Sequence, residues 1–141
     1  MDYDRIKYAV YNVYHKCNIH RLPFNCLEVI STMGYICCSY SNLKEEQKSA
    51  CLQLSADACI IGNVIYYNDQ KPKRRVRFSL MNELGHLFLE TQDETEANNF
   101  ASSSNKPLCQ KCDKPFYGPL SLNHRIEDFI IADSQWLYGG Y

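Results

Sequence analysis

Residues 74–101 read RRVRFSLMNELGHLFLETQDETEANNFA, and the remainder of the chain can be placed by working outward from them. Val76, Leu80, Leu84, Leu87 and Phe88 recur every three or four residues, the period of a helix with one buried stripe. Inside that helix lies Asn82-Glu83-Leu84-Gly85-His86, one residue short of H-E-x-x-H. In H-E-x-x-H two histidines at i and i+4 share a helix face and hold zinc, while the glutamate beside the first polarises water. Here Asn82 stands where the first histidine would be. An E-x-x-H on an amphipathic helix is more often a solvated glutamate beside a half-buried histidine. The acidic run Glu90, Asp93, Glu94 and Glu96, with a second helical pattern from Glu96 to Ala101, strengthens the metal reading. A ligand from a following helix turns a helix-borne pair into a three-ligand catalytic site with an open fourth position.

Together with residues 1–35 (MDYDRIKYAVYNVYHKCNIHRLPFNCLEVISTMGY), residues 50–69 (ACLQLSADACIIGNVIYYND) and the EANNFA box at 96–101, the motif resembles the ImmA/IrrE family of metallo-endopeptidases. The resemblance covers about residues 1–101, and SSSNKPLCQKCDKPF beyond it departs from the family pattern. It implies an α+β, zincin-like metalloprotease domain, a small sheet with packed helices and the motif on a central helix. It also implies a cytoplasmic zinc-dependent endopeptidase of a bacterium, phage or mobile element, whose relatives cleave a helix-turn-helix repressor and so regulate gene expression. The roles carried over are His86 and Glu96 as metal ligands, with Glu94 the runner-up to Glu96, and Glu83 as general base. Gly85 costs a helix about 1 kcal/mol relative to Ala; the family carries glycine there too, which fits close packing against another element.

Asn82 is a degenerate ligand position. A carboxamide oxygen is a neutral, hard donor, better suited to calcium than to zinc. Two functions therefore stay open: a zinc endopeptidase with impaired catalysis, or a non-catalytic pseudo-peptidase that binds a repressor-like partner without cutting it. A protein whose only metal is structural is a third possibility.

The chain has 141 residues, enough for one domain with a real core, and a net charge of −1 that does not call for nucleic acid. No apolar run approaches a membrane span, and Met1-Asp2-Tyr3-Asp4 does not read as a signal peptide. The eight cysteines then read as reduced thiols in a cytoplasmic protein. Residues 1–104 are assigned to the peptidase-like domain and 105–141 to a divergent segment packed on it.

Helices are expected over 2–17, with Tyr3, Tyr8, Tyr11 and Tyr14 as packing residues, over 24–33 ending at Gly34, and over 42–52. Residues 35–40 read as a strand, and Ala56–Ile61 and Val64–Asn68 around Gly62-Asn63 as a hairpin. Its second strand, with Tyr66 and Tyr67, is the candidate substrate-binding edge, since peptidases of this kind bind substrate by strand addition. Lys71, Lys73, Arg74, Arg75 and Arg77 read as a solvated basic face. Cys109-Gln110-Lys111-Cys112, with His124 as a third ligand, is a candidate second, structural zinc site. A closing amphipathic helix is expected over 122–137.

Overall fold

The computed structural model describes residues 2–19, 21–22, 24–105 and 118–119. Cys109, Cys112, His124 and the helix expected over 122–137 lie outside them.

Helix α1 (Tyr3–Lys16) begins where the Asp2 carboxylate accepts the Arg5 N–H at 3.1 Å, satisfying one free donor of the first turn. Its buried face is Ile6, Ala9, Val10, Val13 and Tyr14. Of its four tyrosines, Tyr14 is the packing residue: it is fully buried and its hydroxyl donates to the Ser104 carbonyl at 2.7 Å. Tyr8 is 63% exposed. The short strand β1 (Arg21–Leu22) pairs antiparallel with β5 (Gly118–Pro119). Helix α2 (Cys26–Thr32) is capped by Asn25, whose side chain accepts two backbone N–H groups. It is closed by Gly34 at φ 94, a conformation that carries no steric penalty without a Cβ.

Strand β2 (Ile36–Ser39) leads through a 3-10 turn (Tyr40–Asn42) into helix α3 (Glu45–Leu54). The expected hairpin forms as β3 (Ala58–Ile61) and β4 (Val64–Tyr67), turning at Gly62 and Asn63. The sheet order is β2-β4-β3, with β2 parallel and β3 antiparallel to β4. This order corrects the expected edge: β4 is the central strand, its neighbours occupy both of its edges, and β3 is the edge strand among the described residues. The apolar run of 64–67 marked a strand, but nothing in it announced a parallel partner from residues 36–39.

Helix α4 (Lys73–Phe88) carries the motif and packs on the sheet, on α2 and on α5 (Glu94–Asn105). Leu80, Met81 and Leu84 of α4 meet Phe100 and Ala101 of α5 in the main core. At Gly85 an added Cβ would lie 3.0 Å from Phe100 Cδ1 and 3.2 Å from its Cβ, so the glycine lets a buried ring lie against the helix. Helix α5 starts two residues earlier than expected. Asp93 supplies its cap, accepting the Thr95 N–H at 2.8 Å.

Candidate active site

Helix geometry sorts the carboxylates of α5. Residues two apart on a helix point about 200° away from each other, whereas residues four apart share a face. Glu94 and Asn98 therefore face α4, and Glu96 faces away. Glu96 Oε2 accepts from Arg5 of α1 at 3.1 Å and its Oε1 from the Thr91 hydroxyl at 2.7 Å. Arg5 also donates to the Leu89 carbonyl at the end of α4. Glu96 thus clamps α1 to the turn between α4 and α5. Of the two carboxylates considered as ligands, Glu94, the runner-up, lies beside Asn82 and His86, and Glu96 lies away from them.

Asn82 is buried, and its amide nitrogen donates to Glu94 Oε1 at 2.9 Å and to Asn98 Oδ1 at 2.7 Å. The opposite amide orientation would set its oxygen against a carboxylate, so Glu94 fixes which end is nitrogen. The other oxygen of Glu94 lies 3.1 Å from His86 Nε2. His86 Nδ1 lies 2.9 Å from the Thr91 carbonyl, which can only accept, so Nδ1 carries hydrogen and Nε2 is the nitrogen presented to the site. A hydrogen bond between Nε2 and the carboxylate then holds when a proton lies between them.

Glu83, one residue along from Asn82, is half-buried. Burial pushes its carboxyl up to about 7; His86 opposes the rise and Glu94 adds to it. These residues line one end of an open cleft of about 1400 Å³. Strand β3 forms a wall of the cleft, and Arg74, Arg75 and Phe78 of α4 line its other end. Tyr66 and Tyr67 pack into the two apolar clusters instead. The basic run is not one solvated face: Arg75 forms a two-pronged pair with Asp57 at 2.7 and 2.9 Å, and Arg77 Nε is buried.

A family model described as the IrrE N-terminal-like domain, of the peptidase M78 family, matches residues 39–112, that is 74 of 141 residues. The chain belongs to this family. No curated protein and no solved structure matches it at a significant level. The IrrE-like match confirms the family resemblance and extends past residue 101, and the mixed α+β architecture agrees with a zincin-like domain. It makes the domain one of a metallopeptidase family, whose substrates are proteins. Among the described residues no helix is long and apolar enough to cross a membrane.

The donor set of this IrrE-like domain does not fit a three-ligand catalytic zinc. His86 and Glu94 are suitable donors. Asn82 contributes a carboxamide whose N–H groups, not its oxygen, face Glu94. Among the described residues no three His, Cys, Asp or Glu side chains converge as a metal site. Asn98 escaped the sequence reading, although its spacing of four from Glu94 was a usable signal once the helix start was known.

Proposed function

We propose that this chain is a non-catalytic member of its family, a pseudo-peptidase module that holds a protein segment in the cleft without cutting it. The observation that carries the reading is the Asn82–Glu94–Asn98 network. The buried Asn82 amide donates one N–H to Glu94 and the other to Asn98, so both of its donors are satisfied within the site. The partner implied by the family resemblance is a helix-turn-helix repressor-like protein of the cytoplasm, and the module's role is to sequester it.

Strand β3 supports the docking mode. Asn68 N–H donates to the Asp57 carbonyl at 2.8 Å, which makes that pair a hydrogen-bonded one. Such pairs alternate along an antiparallel ladder, so the backbone groups of Ala58 and Ile60 point away from β4. The Ser55 hydroxyl takes the Ala58 N–H at 3.3 Å, leaving Ile60 as the open residue for strand addition.

A specific observation favours the second reading, an impaired zinc endopeptidase: the Glu83 carboxyl is tuned to the range useful to a general base at neutral pH. Mixing the purified chain with repressor-like proteins from the same genome separates the two. The pseudo-peptidase reading expects an intact, co-eluting partner and equal binding by Glu83→Gln. Partner fragments that form with wild type and not with Glu83→Gln would establish the enzyme.

A further inference from the structure

We infer that the cleft selects extended protein segments carrying a carboxylate side chain, and that Arg74 is the residue that reads it. The inference rests on the proposed function, since it names the class of segment the cleft takes.

Helix α4 is electrically polar along its length. Arg74, then Phe78 one turn later, then His86 line the cleft along α4, with Glu83 lining it from half a helical turn round from Arg74. Arg75 is engaged with Asp57, whereas Arg74 forms no ion pair among the described residues and is exposed. Lys71 and Lys73 add positive charge at the same end, and no acidic cap offsets it, because Pro72 begins the helix without a side-chain bond. Phe78 is 39% exposed and Leu54, which also lines the cleft, is exposed, which gives the cleft an apolar rim. The opposite end carries Glu83 and Glu94. A bound strand is thus offered positive charge, then apolar surface, then negative charge.

The spacing follows from the two repeat lengths. Twelve residues of helix from Arg74 to His86 span about 18 Å, which matches about five to six residues of extended chain. A segment paired along β3 with one residue over His86 would place a side chain beside Arg74 about five to six residues away, with apolar side chains between. Aspartate or glutamate at that position complements Arg74, and lysine there is repelled. The open backbone of Ile60 on β3, which lines the cleft, favours a polypeptide over a nucleic acid, which has no use for strand pairing.

The test uses the full chain and fluorescein-labelled nonapeptides of alternating Thr and Val, with a single Glu, Gln or Lys moved through successive positions. Binding is read by fluorescence anisotropy and peptide integrity by mass spectrometry. Glu is expected to bind about threefold to fivefold more tightly than Gln at one position, the size of an exposed ion pair, and Lys more weakly than either. The preference should fade in about 0.5 M salt and invert to favour Lys in Arg74→Glu, an exposed change that leaves the core intact. Equal binding of Glu and Lys peptides, a preference that persists in Arg74→Glu, or no binding by any peptide overturns the inference. So does tighter binding of oligothymidylate that Arg74→Glu abolishes. Cleaved peptides with the Glu preference retained would overturn the non-catalytic reading and leave the role of Arg74 standing.

Discussion

An amide at position 82 does for Glu94 part of what a metal ion would do: it brings partial positive charge and one directed donor to a carboxylate beside a histidine, while its second N–H goes to Asn98. Asn82→His replaces those donors with a second imidazole one helical turn from His86. Zinc affinity at the motif is expected to rise by at least about 100-fold, beyond the ~10–100-fold that outer-shell partners alone are worth. Competition with a chromophoric chelator reads this directly; an unchanged affinity contradicts it. Glu83 gives a second, independent handle. Its carboxyl stands at about 7 in the folded chain against an ordinary 4.5, so the folded state keeps its proton to higher pH. Its stabilising contribution is complete below about pH 4.5 and is lost as pH rises through about 7. In metal-free protein, the permanently neutral Glu83→Gln should gain roughly 1 kcal/mol at about pH 8, after allowance for its partial exposure, and almost nothing at about pH 5. Thermal melts at the two pH values check this, and a gain of equal size at both is the contrary result.

At the scale of elements, the α4–α5 pair decides which carboxylate belongs to the site. In an Asn82→His background, Glu94→Ala should abolish the recovered zinc binding. Glu96→Ala should leave zinc binding intact while lowering stability by about 1 kcal/mol through loss of the Arg5 clamp. Zinc titrations and melts on the two variants separate these roles; zinc loss with Glu96→Ala would reinstate the EANNFA glutamate as ligand. The same interface sets the sign of Gly85→Ala. The better helix former gains about 1 kcal/mol. Its Cβ would press on Phe100, which is fully buried and cannot swing aside, and such overpacking costs about 1–3 kcal/mol. A net loss of about 1 kcal/mol in chemical denaturation is expected, and a stabilised variant would show that the ring yields.

These elements also show what could be read from residues alone. The α4 stripe and the Gly62-Asn63 turn are local periodicities, and they gave the motif helix and the hairpin. The choice between Glu94 and Glu96 depended on where α5 begins. That start is set by one side-chain cap at Asp93, and a two-residue shift turns a side chain to the opposite face. The rank of β4 as a central strand depended on a parallel partner far away in sequence, which period-two alternation does not encode. Arg77, whose Nε is buried, sits where α4 meets α2, its backbone carbonyl accepting from the Cys26 thiol, and that neighbour is remote in sequence.

At the scale of the whole molecule, the fold is held by a continuous core reaching from α1 through the sheet to α5, and no part of that core passes through the candidate site's polar cluster. A strong chelator should therefore leave the melting temperature within about 1 °C of its untreated value, unlike domains whose folding energy is metal-binding energy. The most direct test of the central claim is zinc stoichiometry by equilibrium dialysis in a Cys109→Ser/Cys112→Ser background, which removes the other candidate thiol ligands. The account predicts no zinc retained with Asn82 and one zinc per chain with Asn82→His. One zinc per chain with Asn82 in place, lost on His86→Ala, would contradict it and return the chain to the enzymes of its family.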